Sequence, residues 1–208
     1  MKKLLLLILF FISLNIYGQE KTEFDGHQWV APYYLPVPKG WTVERFPVPP
    51  SFAITIPYKG VEDIRFTPGW GKIESNEYWS YAFLWFLDDI REFDSKTLEN
   101  NLTAYYTGLF NINTSKSNID TTKLIPVQVT INSKKAEKED DKTFEGIVKM
   151  NDYMTKKPIT LILIIHIKSC EEQNKSFVLF ELSPRPYSDM VWNDLDQLWL
   201  NFKCNRPQ

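Results

Sequence analysis

The chain is poor in the residues that most enzymes and metal proteins rely on. Its 208 residues include two histidines, His27 and His166, far apart in sequence, and two cysteines, Cys170 and Cys204, near the C-terminus. That is not the clustered ligand spacing of a zinc site, so neither metal nor cofactor is expected. His166 sits in an apolar run and reads as a core histidine, and His27 reads as an exposed one. With 8 glycines the chain has no G-x-S-x-G nucleophile elbow and no phosphate-cradling loop; Gly69-Trp70-Gly71 lacks the lysine and helix context of one. The acidic stretch 137–141 lacks glycine and is interrupted by lysine, unlike a calcium loop. Positive charge is not in excess either: 24 basic against 26 acidic residues give no electrostatic footprint for nucleic acid and no polybasic membrane patch. Beyond the N-terminus no apolar run approaches the roughly 20 residues needed to span a bilayer; the longest covers 159–167.

The N-terminus is different. MKKLLLLILFFISLNIYGQE has a basic start (Lys2, Lys3), an apolar run over 4–12 and a small residue, Gly18, before Gln19. This is the pattern of a secretory signal peptide over 1–18, leaving a mature chain of about 190 residues that suits a single domain. The other reading of the segment is an uncleaved anchor. With Lys2 and Lys3 removed, 22 basic residues face 26 acidic ones, a formal charge of −4. The expected location is secreted or periplasmic.

Residues 19–50 carry Pro32, Pro36, Pro38, Pro47, Pro49 and Pro50 and are expected to wrap over the domain as extended chain. Strands are expected over 52–56, 61–67, 78–87, 124–131, 144–150, 158–168 and 176–182. Helices are expected over 95–110, capped by Asp94 or Ser95, and over 188–202, capped by Ser188. The run KKAEKEDDK at 134–142 reads as a solvated hairpin tip. The fold class is therefore α+β, an antiparallel sheet with helices packed on one face. The strands-then-helix order occurs twice, which raises the possibility of two similar halves.

What the chain has in abundance is aromatic side chains. EYWSYAFLWFL, at 77–87, puts six rings into eleven residues. At period two, Trp79, Tyr81, Phe83, Trp85 and Leu87 share one face, and Ala82, Leu84 and Phe86 lie on the other. A ligand platform pairs one aromatic face with one aliphatic core face; here both faces are large and apolar, as in a strand covered on both sides. The core reading leads. The platform reading would join Trp79 and Trp85 to Trp41 and Trp70 from nearby loops. Asp63 and Arg65, two apart on one strand face, read as a structural ion pair that could serve a binding site. Asp63, Asp88, Asp89 and Glu92 flank aromatic strands and are the carboxylates a glycosidase would draw on, although they read first as strand ends and solvated turns.

Strand and helix lengths also predict a crosslink. A strand over 176–182 runs back about 23 Å at 3.3 Å per residue. A helix over 188–202 then reverses by about 22 Å. Cys204 is thereby returned to the end of the sheet where Cys170 sits, and an exported chain meets oxidising conditions. A Cys170–Cys204 disulfide is expected.

The turn Pro38-Lys39-Gly40-Trp41, together with Pro184-Arg185-Pro186-Tyr187 and the ending Trp192-Asn-Asp-Leu-Asp-Gln-Leu-Trp-Leu-Asn-Phe-Lys203, is similar to the PsbP-like fold class. The likeness covers the two ends and not the aromatic middle. It implies an antiparallel sheet with a C-terminal helix and an accessory or interaction role, with no catalytic residues to carry over. The leader, the P-x-G-W opening and the aromatic middle also resemble exported bacterial proteins of unknown function. The expected function is that of a non-enzymatic accessory or binding protein of the bacterial envelope, its partner a protein or envelope component. The rival is a carbohydrate binder or hydrolase with an aromatic cleft.

Overall fold

A computed structural model describes residues 24–117, 121–137 and 139–206; the expected signal peptide lies outside them. Seven strands, β1 (Thr42–Val48), β2 (Gly60–Phe66), β3 (Tyr81–Leu87), β4 (Gln128–Lys134), β5 (Lys142–Asn151), β6 (Pro158–Cys170) and β7 (Lys175–Ser183), form one sheet. Its order is β1-β2-β3-β7-β6-β5-β4, and every neighbouring pair is antiparallel. Two helices, α1 (Ser95–Thr114) and α2 (Val191–Leu200), complete the α+β architecture. No helix among the described residues is long and apolar enough to cross a membrane.

β3 lies inside the sheet and is buried along its whole length. Tyr81, Phe83, Trp85 and Leu87 join the core shared with Leu98, Leu102, Tyr105 and Tyr106 of α1. Ala82, Leu84 and Phe86 join a second core with Leu195, Leu198 and Trp199 of α2 and with Ala31, Tyr33 and Leu35 of the N-terminal wrap. The aromatic run thus fills two cores. This corrects the expectation of helices on one face. β3 and β7 present large apolar groups on both sides, so each side needs a cover, and the two helices take one each.

The sheet curls around α1. Glu99 of the helix accepts the Ile131 amide of edge strand β4 at 3.0 Å, and Tyr105 donates to Glu62 of β2, near the other edge, at 2.6 Å. Asp94 caps α1, its carboxylate accepting from the Thr97 amide at 2.7 Å. Close approach of the helix to the 50–53 segment depends on Gly108, where an added Cβ would lie 1.9 Å from the Phe52 carbonyl oxygen.

Several boundaries differ from expectation: β4 is Gln128–Lys134 where 124–131 was expected, α1 runs on from 110 to Thr114, and four further differences have a physical reason. Residues 52–56 form turns, not a strand; Pro49 and Pro50 supply no backbone donors there, and Ala53 and Ile56 plug into the α1-side core. The edge strand is β1, taken from the proline-rich segment; Pro47 is tolerated because one side of an edge strand needs no partner. β3 begins at Tyr81 because Trp79 adopts a left-handed conformation, φ 55°, which ends the extended run. α2 begins at Val191, whose amide bonds to Asp189 at 3.1 Å, so Ser188 is not its cap.

The rest of the wrap lies on the α2 side. Tyr34 and Lys203 exchange backbone hydrogen bonds of 3.0 Å, joining the start of the domain to its end. The Pro38–Trp41 turn closes through Trp41 N–H to Pro38 C=O at 3.1 Å, with Gly40 at φ 85°, a conformation that favours glycine. The Cys170–Cys204 disulfide is present, with Cα atoms 6.1 Å apart, and it ties the segment after α2 to the β6–β7 turn.

Candidate functional site

Between α1 and the β1–β3 end of the sheet lies a cleft of about 250 Å³. The same alternation that builds the core builds its walls. Phe46 of β1, Ile64 and Phe66 of β2 and Tyr81 of β3 face it from the sheet, and Tyr105 and Leu109 face it from α1. Trp70 and Trp79, from the loop between β2 and β3, and Tyr153, from the β5–β6 turn, close one end. Glu44 and Asn113, both exposed, mark the mouth.

The Trp70 end is held rigidly. Thr67 Oγ1 donates to the Ser80 carbonyl at 2.8 Å, and Glu77 Oε2 accepts from the Gly69 amide at 2.6 Å. Trp79 is fixed edge-on between Trp70 and Tyr153, with ring centroids 5.9 and 5.2 Å away, which offsets its left-handed backbone, a cost on the order of 1–3 kcal/mol. Tyr78 donates to Asp152 at 2.6 Å. Burial, with the charges of Asp152 and Glu44, pushes the Tyr153 phenol up to about 12, so it remains a hydrogen-bond donor at neutral pH. The indole N–H of Trp70 is buried with no acceptor among the described residues. A buried donor left in this state costs roughly 1–3 kcal/mol, and an acceptor on a bound molecule would recover that.

Behind Tyr105 sits Glu62, fully buried, accepting from Tyr105 at 2.6 Å and from Trp85 Nε1 at 2.9 Å. Burial pushes its carboxyl up to about 8, although those two hydrogen bonds pull it down. The unfolded carboxyl titrates near 4.5. The stabilising proton is therefore fully effective below about pH 4.5, and its contribution is lost as pH rises through about 8. At about 1.4 kcal/mol per unit, the loss is on the order of 5 kcal/mol. Glu62→Gln should remove this slope, leaving the variant more stable than the parent at pH 8.5 relative to pH 5. Urea melts at both pH values check it, and equal slopes in the two proteins would contradict it.

The expected site residues are dispersed. Trp70 and Trp79 meet at the cleft, whereas Trp85 is wholly inside the core. Trp41 packs on the opposite face, with the α2-side core, so it cannot join Trp70 in one platform. Asp63 and Arg65 are buried on that same face. They pair directly, with a second contact of 3.1 Å, and Arg45 reaches Asp63 at 2.8 Å. Tyr33 donates to Asp63 at 3.0 Å, and Arg65 donates to the Pro36 carbonyl at 2.9 Å, so the pair fastens the wrap to β2. Asp88 and Asp89 are exposed just beyond Leu87, the opposite end of β3 from Tyr81, roughly 20 Å away at strand spacing. Glu92 is engaged by Lys142 at 2.6 Å.

A second group of residues was not visible in the sequence. His166 of β6 is fully buried, and its Nδ1 is 2.7 Å from Asp140 Oδ2. Asp140 belongs to the run expected to be a solvated tip, yet its side chain is completely buried. It also accepts from Trp199 Nε1 of α2 at 2.5 Å, and Trp199 lies stacked on the imidazole at 5.4 Å. On the far side of the ring, Nε2 faces Glu181 of β7 at 3.7 Å, and Asp196 of α2 completes the cluster. These ligand-type atoms lie within 4.8 Å of one another. They come from three separate elements, so no spacing rule could have found them. The one available signal was a histidine inside an apolar strand.

No family model, curated protein or solved structure gives a significant match to this chain.

Proposed function

We propose that this chain is an exported accessory binding protein of the bacterial envelope, and that the aromatic cleft beside α1 holds a small aromatic or apolar group of its partner or ligand. The observation that carries this reading is the buried, unpartnered Trp70 N–H in the wall of a largely apolar cavity. Ligand sites are typically apolar concavities with a few polar groups that set orientation. Here the volume suits one ring bearing one hydrogen-bond acceptor. The disulfide and the signal-peptide pattern of 1–18 support a secreted or periplasmic location, and the PsbP-like likeness of the two ends supports an accessory role. Descent from two similar halves fits the repeated order of strands then helix and belongs to the same proposal. The glycosidase alternative draws less support, since Asp88 and Asp89 lie at the wrong end of β3.

Benzamide tests the proposal: it has one ring and one carbonyl acceptor. At about 0.5 kcal/mol per heavy atom its Kd should be roughly 0.1–1 mM. Leu109→Trp, which fills the cleft from α1, should abolish binding while leaving the far-ultraviolet circular dichroism unchanged. Methyl β-glucoside should not bind. Saturable glucoside binding without benzamide binding would favour the carbohydrate reading. Equal benzamide binding by parent and Leu109→Trp would place the ligand elsewhere. The export part of the proposal expects envelope-fraction protein to begin at Gln19, and a mature chain starting at Met1 would contradict it.

A further inference from the structure

On the opposite face of the sheet from the cleft, the geometry points to a binding site for one divalent transition-metal ion of the zinc class, held by His166 Nε2, Glu181 and Asp196, with Asp140 orienting the histidine.

The two ring nitrogens of His166 have different surroundings. The Asp140 carboxylate lies 2.7 Å from Nδ1, which fixes a proton there and leaves the Nε2 lone pair facing away. This is the outer hydrogen bond that metal-bound histidines regularly make, and it both fixes the tautomer and raises the basicity of the ligating nitrogen. Trp199 restrains the other degrees of freedom, stacking on the ring and donating its N–H to Asp140. Thr143 Oγ1 also donates to Asp140, at 2.5 Å. The carboxylate behind the imidazole is thus fully committed, and the imidazole has one orientation.

Nε2 is buried and makes no hydrogen bond among the described residues. It faces Glu181 Oε1 at 3.7 Å, too far for a direct hydrogen bond and close for a lone pair opposite a carboxylate oxygen. A cation between the two resolves this. With bonds of about 2.1 Å to each, a separation of 3.7 Å corresponds to an N–metal–O angle of roughly 120°, close to that of a four-coordinate zinc site. Asp196 supplies the third ligand from above, and the span of 4.8 Å closes to metal-bonding distance with a side-chain adjustment of about 1 Å. Asp196 sits on the partly exposed flank of α2, so that adjustment does not disturb the buried stripe of Leu195, Leu198 and Trp199.

The donor chemistry selects the ion class. One imidazole and two carboxylates suit zinc and its first-row neighbours, whereas calcium prefers six to eight oxygens and magnesium retains water in preference to imidazole. Three protein ligands leave a coordination position for water. The three ligands come from β6, β7 and α2, and the Cys170–Cys204 bridge holds the end of α2 to the β6–β7 turn.

The test is calorimetric titration of the EDTA-treated, re-dialysed, disulfide-intact protein with ZnCl2. A single ion per chain should bind, with Kd of about 1 µM or tighter, and Trp199 beside the site should change its fluorescence. MgCl2 and CaCl2 at millimolar levels should not compete. Asp196→Asn and Glu181→Gln should each weaken zinc at least tenfold. Asp140→Asn should weaken it by about 10- to 100-fold without abolishing it, as loss of an outer-shell partner does. His27→Ala, which removes the other histidine, should bind as the parent does. If Glu181→Gln does not fold by circular dichroism, Asp196→Asn alone decides the outcome, because its position tolerates the isosteric change. Absence of saturable zinc binding, or equal zinc affinity in Asp196→Asn and the parent, overturns the proposal.

Discussion

Trp85→Ala should lower unfolding stability by about 3–5 kcal/mol, the range for large aromatic truncations in packed cores. Trp85 is fully buried, with Phe180 at 4.8 Å and Phe83 at 5.9 Å between ring centroids. The neighbouring rings are themselves buried, so the cavity cannot collapse cheaply. The truncation also removes the indole donor to Glu62 and leaves that buried carboxyl with Tyr105 alone. Trp41→Ala is the comparison: a partly buried ring on the other face should cost clearly less. Denaturant melts of the parent and both variants measure the difference. A Trp85→Ala protein within about 1 kcal/mol of the parent would contradict the core role of the aromatic strand.

The second large effect concerns the crosslink. The Cys170–Cys204 bridge spans a sequence separation of 34. Closing a loop of that size in the unfolded chain corresponds to about 4 kcal/mol in the chain-entropy model. The loop contains β7 and α2, so the bridge fastens the helix that covers the second core. The double variant Cys170→Ser/Cys204→Ser should therefore lose about 4 kcal/mol and melt at a Tm lower by roughly 10 °C. The unreduced, denatured parent should show no free thiol. Two titratable thiols in the parent, or a double variant as stable as the parent, would contradict the role of the bridge.

Period-two alternation made β3 legible, because a sheet covered on both sides demands apolar groups on both strand faces, and residues 77–87 supply them. The disulfide was legible because strand and helix lengths nearly cancel, returning Cys204 to Cys170. The placement of the helices was less legible: a two-faced strand needs a cover on each side, but the order of elements along the chain does not say which side α1 and α2 take. β1 was hidden by proline, which marks extended chain without distinguishing a wrap from an edge strand. The cleft was half legible. Trp70 and Trp79 could be named, but Phe46, Leu109 and Tyr153 reach it from three other parts of the chain, and pairings that distant follow only from sheet order. The His166 cluster was the least legible. Asp140 lies in a run of charges whose composition is that of a solvated loop, and its burial is decided by Trp199 and His166, which meet only in the folded chain.

On the proposed reading, the aromatic run is core along β3 and meets a ligand only at its Trp79 end, beside Trp70. The most direct measurement is fluorine NMR of protein labelled with 5-fluorotryptophan, its seven resonances assigned by single Trp→Phe variants and followed during titration with benzamide. The resonances of Trp70 and Trp79 should shift together and saturate, while those of Trp85 and Trp41 stay in place. A titration in which Trp41 shifts and Trp70 does not, or in which no tryptophan responds up to saturating benzamide, would contradict that claim.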